Sequence, residues 1–117
     1  MQKKGRLTQS SQYGAVYERG KSWANELLVL KALPNELEVT RYGLSVSRRV
    51  GNAVRRNRVK RLLRESMRLM EVKPGWDVVF IARNPASTAN YWRVKRAVED
   101  LLSRGQLSAR SEVRDEN

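Results

Sequence analysis

The sequence contains no histidine and no cysteine, and each absence limits its chemistry. Histidine is the commonest general acid and base in enzymes, so proton transfer here would need other side chains. Without cysteine there are no disulfides, thiolate metal ligands or thiol redox steps within the chain. No apolar run approaches the roughly 18 residues of a membrane span, and none follows the basic N-terminus as in a secretory signal. We therefore expect a cytoplasmic protein without membrane contact.

Carboxylates are also scarce, with 12 Asp and Glu against 24 Lys and Arg. Catalysis by two metal ions would need clustered carboxylates. Asp77 lies at the start of a predicted strand, Glu99 and Asp100 lie in a predicted helix, and the remaining candidates fall between 112 and 116. None is close in sequence to the basic centre of the chain, and no metal-ligand spacing occurs. We expect no catalytic residue, no metal site and no protein-bound cofactor.

The charge balance indicates the class of partner. A net charge of +12 on 117 residues, with an isoelectric point near 10.9, calls for a polyanion that offsets the self-repulsion. Membrane-surface helices carry large apolar side chains opposite their basic ones, whereas the apolar residues here are better used in a core. Nucleic acid is therefore favoured over an anionic membrane. The length suits one domain over 1–105, and the aperiodic charged tail, 106–117, is expected to be disordered.

The segment 45–68 holds nine of the 24 basic residues and one carboxylate, Glu65. At helical periodicity one of its faces is apolar and the opposite face is polar and basic. The apolar face comprises Val59, Leu62, Leu63, Met67 and Met70, and the polar face comprises Asn57, Arg61, Arg64 and Arg68. A helix that was merely solvated would interleave acids for i,i+4 pairing. The pattern predicts a helix with one packed face and one polyanion-binding face.

The start of this helix also indicates binding. Asn52 is the expected N-cap, and Arg55, Arg56 and Arg58 occupy the first two turns, where stability alone would favour acids. Backbone N–H groups at a helix start, together with guanidinium groups, form a phosphate site. Asn57 adds an amide among these arginines. It either contacts a base edge or ribose hydroxyl, or orients its neighbours.

Five further elements follow from hydrophobic periodicity and from Gly and Pro stops. They are a helix over 7–20 with Thr8 or Ser10 as N-cap, strands over 26–33, 37–47 and 76–83, and a helix over 90–104 ended by Gly105. The first two strands are expected to form an antiparallel hairpin with a turn near 34–36. The strand 76–83 is apolar at successive positions, so it is expected to be buried on both faces.

Aromatic side chains have two interpretations. Tyr13 and Tyr17 lie at i,i+4 on the first predicted helix, a spacing more typical of core packing than of base stacking. Trp23, Trp76 and Trp92 are assigned to the core or its edge for the same reason. The strand 37–47 alternates apolar residues with small ones, including Ser45 and Ser47. Its small face either lies under a loop or leaves room for a flat, extended ligand.

The segment 49–65, RVGNAVRRNRVKRLLRE, resembles the signature of the bacterial ribonuclease P protein family. The resemblance extends to the Arg6-Leu7 pair, to the spacing of Tyr13 and Tyr17, to 43–47 (GLSVS) and to 81–86 (IARNPA). It covers roughly 3–104. The family implies an α+β fold, a two-layer sandwich of order α-β-β-α-β-α. It also implies a left-handed crossover through the basic helix, against the usual right-handed rule.

The resemblance also implies a function. Family members pair with a catalytic RNA that uses Mg²⁺ to remove the 5′ leader of precursor tRNA, and the protein binds that leader. The monomeric chain would form a 1:1 complex with this RNA. Its predicted RNA contacts are Arg48, Arg49, Arg55, Arg56, Asn57, Arg58, Lys60, Arg61, Arg64 and Arg68. The predicted leader cleft comprises Tyr13, Tyr17, Ser45 and Ser47, which reverses the packing preference for the tyrosines, although the family often has Phe there.

Two other classes fit the same composition. One is a structural RNA-binding protein of the ribosomal or assembly type, and the other is an architectural DNA-binding protein. All three bind less tightly as salt rises. Salt dependence therefore does not separate them, whereas activity with a ribonuclease P RNA does.

Overall fold

A five-stranded sheet organises the residues that the computed structural model describes, 5–109. Its strands are β1 (Gly5–Arg6), β2 (Lys21–Ala24), β3 (Leu28–Pro34), β4 (Arg41–Ser45) and β5 (Trp76–Ala82). The helices are α1 (Ser10–Arg19), α2 (Ala53–Arg68) and α3 (Tyr91–Arg104), and 3-10 turns at Arg48–Val50 and Asn84–Thr88 precede α2 and α3. Within 5–109, no helix is long and apolar enough to cross a membrane.

The strand order is β1-β4-β5-β3-β2, with β5 at the centre. β3 pairs antiparallel with β5, and β4 pairs parallel with β5. The predicted hairpin between the first two long strands is therefore wrong, because β5 lies between them. Asp77 to Phe80 are buried, so this strand needs neighbours on both edges as well as cover on both faces. The parallel pair joined through α2 is present, and the handedness of its crossover stays a prediction.

Helices cover both faces of the sheet. On one face α2 and α3 pack over β3 and β5 in the main core, whose largest fully buried side chains include Phe80, Leu30, Leu63 and Leu101. On the other face α1 packs through Val16 against Val79, in a smaller cluster with Leu7. The mixed α and β class is confirmed. Within it, α1 lies on the face of the sheet opposite α2 and α3.

The helix starts follow their capping residues. Asn52 Oδ1 accepts from Arg55 N at 3.0 Å and Asn90 Oδ1 from Arg93 N at 2.9 Å, which confirms the predicted starts of α2 and α3. At α1 neither Thr8 nor Ser10 is the cap. Gln9 holds that position, and Gln12 Oε1 accepts from the N–H groups of Thr8 and Gln9.

Two short strands were not predicted from the sequence, and one longer strand begins later than expected. β1 has two residues and β2 has four, mostly exposed, so neither shows a measurable periodicity. The strand predicted from 37 begins at Arg41. Before it, Asn35 accepts from Leu37 N at 2.8 Å and donates to Val39 O at 3.2 Å, which closes a loop there.

The tryptophans and the C-terminal boundary also need correction. Trp23 and Trp76 pack against the main core, but Trp92 is 62% exposed because it lies opposite the buried stripe of α3. The predicted tail began at 106, yet Leu107 is fully buried and its N–H donates to Leu102 O. The packed chain therefore includes residues beyond Gly105. The rest of the predicted tail, 110–117, lies outside the described residues.

Candidate nucleic-acid interface

The outer face of α2 carries the predicted basic surface. Val59, Leu63 and Met67 are buried against the sheet, while Asn57, Arg61, Arg64 and Arg68 are exposed on the opposite side. Glu65 bonds Arg68 Nη2 at 3.0 Å. Arg61 and Arg64 form no ion pair with any residue in 5–109. Their charges are therefore available to an external anion.

Further arginines gather at the N-terminal end of α2. Arg55 is exposed in the first turn, which has no acidic residue. Arg48 and Arg49 are exposed in the preceding 3-10 turn, and Val50, buried in the main core, anchors that turn. The helix dipole adds partial positive charge at the same end. This end of α2 is built to attract phosphate rather than to stabilise the helix.

Arg58 and Arg56 do not share the environment of their neighbours. Arg58 is half-buried and donates to Ala89 O at 2.9 Å and Ser87 O at 3.4 Å, so it ties α2 to the turn before α3. Helical periodicity does not reveal this intramolecular role. Arg56 is also half-buried, and its Nε has no hydrogen-bond partner within the described residues. A buried donor without an acceptor is costly, and the burial of this atom leaves only the rest of the Arg56 side chain to meet an external anion.

A polar cleft opens where β1 ends. β1 pairs with Arg41 and Tyr42 of β4, and no strand in 5–109 covers that edge of β4 beyond them. At the uncovered edge, α1 on one face of the sheet approaches α2 on the other. The resulting cavity of about 100 Å³ is lined by Arg6, Leu7, Tyr13, Tyr42, Gly43, Leu44, Lys60 and Arg64. Three of these side chains are cations and none is a carboxylate, so the cleft is suited to phosphate.

Tyr13 lies directly over Gly43. A Cβ added to Gly43 would be 2.6 Å from both Cε1 and Cζ of Tyr13, so only glycine permits this ring position. Tyr17 follows one turn later and is 41% exposed, with the two ring centroids 6.4 Å apart and tilted by 46°. The pair thus combines a ring seated on the sheet with one open to solvent. Tyr13 therefore packs, as its spacing favoured, whereas the Tyr17 ring is partly exposed, and stacking on a base stays a prediction.

The predicted serines lie at two places along this edge. Ser45 is half-buried and pairs with Ile81, on the same face of β4 as Gly43. Ser47 is exposed at the start of the turn that carries Arg48 and Arg49. Gly43 lines the cleft, whereas the predicted Ser45, Ser47 and Tyr17 are not among its lining residues, so their contact with a ligand stays a prediction. Ser47 instead lies between β4 and the 3-10 turn that precedes α2.

Five residues that line the cleft were not among the predicted contacts: Arg6, Leu7, Tyr42, Gly43 and Leu44. Arg6 reaches it through β1, which is too short to predict. Tyr42 and Leu44 were assigned to the apolar face of their strand, and both do pack against the main core. They also reach the cleft because the edge of β4 is open. The adjacent Arg6-Leu7 pair was the available signal for Arg6, through the family resemblance.

The most buried carboxylate is used within the fold. Asp77 is 5% exposed and accepts from Arg41 Nε at 2.8 Å, Arg41 Nη2 at 2.7 Å and Asn35 Nδ2 at 2.8 Å. These hydrogen bonds raise the pKa of Arg41, against the opposing effect of burial. In the part of the chain that the structure describes, no group of three or more Asp and Glu is placed to hold a metal ion.

Comparisons with known proteins give a consistent result. The family model described as Ribonuclease P matches residues 1–106. The chain is 44% identical over 112 residues to the ribonuclease P protein component of Dehalococcoides mccartyi, covering 96% of this chain and 93% of the relative. It is 43% identical over 106 residues to that of Clostridium kluyveri, covering 87% of this chain and 95% of the relative.

Solved structures show the same similarity at the level of the fold. The RNase P protein of Staphylococcus aureus superposes with a TM-score of 0.81 at 30% identity, covering 88% of this chain and 96% of that one. The RNase P protein of Thermotoga maritima gives a TM-score of 0.78 at 32% identity, covering 85% and 96% respectively.

Proposed function

The chain belongs to the ribonuclease P protein family, and we propose that its two cationic surfaces have different partners, the catalytic RNA and the substrate. As a ribonuclease P protein component it is the accessory subunit of a tRNA-processing endoribonuclease, and it works with ribonuclease P RNA, which carries out catalysis. The described residues offer binding groups, consistent with that division. The assignment of residues to each partner is our proposal.

The outer face and N-terminal end of α2 are the surface for the catalytic RNA. It comprises the residues of α2 and of the preceding turn whose cationic or amide side chains are at least partly exposed. They are Arg48, Arg49, Arg55, Arg56, Asn57, Lys60, Arg61, Arg64 and Arg68. Arg58 acts indirectly, by holding the turn before α3 against α2. Structured RNA is bound largely through phosphate and ribose contacts. Guanidinium forks supply such contacts in a geometry that matches phosphate.

The cleft beside Tyr13 is the surface for the 5′ leader of precursor tRNA. The observation that carries this proposal is the convergence of Arg6, Lys60 and Arg64 on one cavity that Tyr13 also lines. A single-stranded leader offers phosphates and unstacked bases together, which is the combination of groups that a cationic groove with aromatic walls binds. Tyr17 and Ser45 extend the cleft along α1 and β4. Lys60 and Arg64 border both surfaces, so leader and catalytic RNA would meet along α2.

We further propose a monomeric chain in a 1:1 cytoplasmic complex with the RNA. In this proposal Mg²⁺ is held by the RNA. Asp77 is not assigned to the metal because its carboxylate already accepts hydrogen bonds from Arg41 and Asn35.

The leader proposal is tested by replacing Tyr13 and Tyr17 with alanine. Base stacking on an aromatic side chain is worth roughly 1 to 3 kcal/mol. Each variant, assembled with ribonuclease P RNA, should therefore lose about 5- to 100-fold in its preference for precursor over mature tRNA. Phenylalanine at either position should retain the preference, because the ring remains. An equal loss for both substrates would instead indicate damage to the fold, and no loss would contradict the leader site.

A matched pair of glycine variants tests the same cleft by changing the residue beneath the Tyr13 ring. Gly43→Ala places a Cβ against the Tyr13 ring and should displace it, whereas a Cβ at Gly14 meets nothing within 4 Å. Both variants add one methyl group. Gly43→Ala should reduce the preference for leader-bearing substrate, and Gly14→Ala should leave it intact while stabilising α1 by roughly 0.5 to 1 kcal/mol. The measurement is the ratio of the affinities for precursor and mature tRNA, determined for each of the two variants.

A further inference from the structure

Trp92 presents an indole to solvent at the start of α3. It is 62% exposed, although the other tryptophans pack against the core. Tyr91 contacts it edge to face, with ring centroids 5.1 Å apart and an interplanar angle of 74°. Tyr91 is itself half-buried, so this contact limits the movement of the indole. Trp92 is therefore a large, oriented aromatic face whose exposure the core does not explain.

A cation lies on the same stripe of α3. Arg96, one turn after Trp92, is exposed. Each nearby carboxylate is bonded to another cation: Glu26 to Arg93, Glu99 to Lys95, and Asp100 to Arg104. Within 5–109, Arg96 forms no ion pair. Arg96 also lines a shallow pocket with Glu26 and Asp100, whose carboxylates are bonded to Arg93 and Arg104. The exposed stripe thus combines an aromatic ring with a cation that has no ion pair of its own within 5–109.

The stripe continues the basic surface of α2. α2 and α3 pack together on one face of the sheet, so their solvent faces form the outside of a single layer. Arg58 of α2 bonds the carbonyl oxygens of Ser87 and Ala89, immediately before α3. The start of α3, which carries Trp92, therefore follows directly on a turn that Arg58 of α2 holds. A polyanion bound across α2 would reach α3 without leaving the protein surface.

We propose that Trp92 stacks on an unpaired base of the ribonuclease P RNA and that Arg96 binds a phosphate close to that base. The RNA-binding surface would then extend from α2 onto α3. This inference rests on the proposed function of α2. RNA is favoured over a second copy of the chain because two copies joined at this stripe would bring two strongly cationic surfaces together.

The experiment measures the affinity of Trp92→Ala, Trp92→Phe and Arg96→Ala for ribonuclease P RNA over a range of salt concentrations. Trp92→Ala should weaken binding by about 5- to 100-fold with an unchanged salt slope, because a stacked ring carries no charge. Trp92→Phe should retain most of the affinity. Arg96→Ala should flatten the slope by about one. Leu37→Ala, at another exposed apolar residue, is the control and should have no effect.

Two outcomes would overturn the inference. Trp92→Ala could bind RNA as tightly as the parent chain while the Arg61 and Arg64 variants lose affinity. That result would support RNA binding by α2 and contradict its extension to α3. Alternatively, sedimentation could show that the parent chain self-associates and that Trp92→Ala abolishes this without changing RNA affinity. The indole would then contact a second copy. Unchanged RNA affinity in the α2 variants as well as the α3 variants would instead contradict the proposed function itself.

Discussion

Replacing Arg61 and Arg64 together with alanine will weaken binding to ribonuclease P RNA by about 100-fold at low salt, because removing a hydrogen bond to a charged group costs roughly 1.5 to 3 kcal/mol. Both side chains are exposed on α2 and have no ion-pair partner in 5–109. The salt slope should fall by about one for each phosphate that the variant no longer binds. The variant should be at least as thermally stable as the parent. Arg64 faces Lys60 and Arg68 one turn away on either side, and like charges at that spacing destabilise a helix.

The control for this experiment is the double replacement of Arg19 and Lys21 with alanine. Both are exposed near the β2 edge of the sheet, far from α2 in strand order. Each double variant lowers the formal net charge from +12 by two, to +10. Long-range attraction to RNA is therefore reduced equally, and only local contacts differ. An equal loss of affinity in the two variants would contradict a specific role for α2, since net charge alone would then explain binding.

Replacing Asp77 with alanine will cause a large loss of stability, because it removes the acceptor of three hydrogen bonds within the fold. The variant leaves the Arg41 guanidinium without its two hydrogen bonds to Asp77, and because the Arg41 side chain is 25% exposed, water recovers part of the loss, so the expected cost is roughly 1.5 to 3 kcal/mol. For a domain of this size the corresponding fall in Tm is roughly 10 °C. Asn35 also loses an acceptor, which loosens the loop before β4. Urea and thermal unfolding measure the change directly.

A double-mutant cycle separates the ion pair from other effects of Asp77. Arg41→Ala, Asp77→Ala and the double variant should show strong non-additivity, because the double variant strands no charge. Glu99→Ala breaks the Lys95 pair, which is more open to solvent, and should cost less than about 1 kcal/mol. Additive losses at Arg41 and Asp77 would mean that the two residues act independently, contrary to the 2.7 Å distance between Arg41 Nη2 and Asp77 Oδ2.

The sequence predicted α2 well because its determinants are local. Asn52 caps the helix through a residue three positions away, and the apolar period places Val59, Leu63 and Met67 on the buried face. Neither property depends on distant parts of the chain. The same is true of α3 between Asn90 and Gly105. For α2 the residues of the outer surface could be named from the sequence, whereas on α3 the exposed Trp92 was wrongly assigned to the core or its edge.

Long-range pairing could not be predicted in this way. The loop after Pro34 resembles a hairpin turn, but the choice between pairing β3 with β4 or with β5 depends on burying both faces of β5. The cleft likewise depends on residues that are distant in the sequence. Arg6, Tyr13 and Arg64 meet there only because β1 ends early and leaves an edge of β4 open. Arg58 was assigned to RNA by charge, and its carbonyl acceptors are about 30 residues away along the chain.

Reconstitution with ribonuclease P RNA shows whether this chain performs the function assigned to it. Precursor tRNA is incubated at low Mg²⁺ with the chain alone, with the RNA alone and with both, and release of the 5′ leader is measured. We predict that the chain alone leaves the precursor intact and that the chain with the RNA cleaves faster than the RNA alone. Leader release by the chain alone, or no increase in the activity of the RNA, would contradict an accessory subunit that binds RNA and leaves catalysis to it.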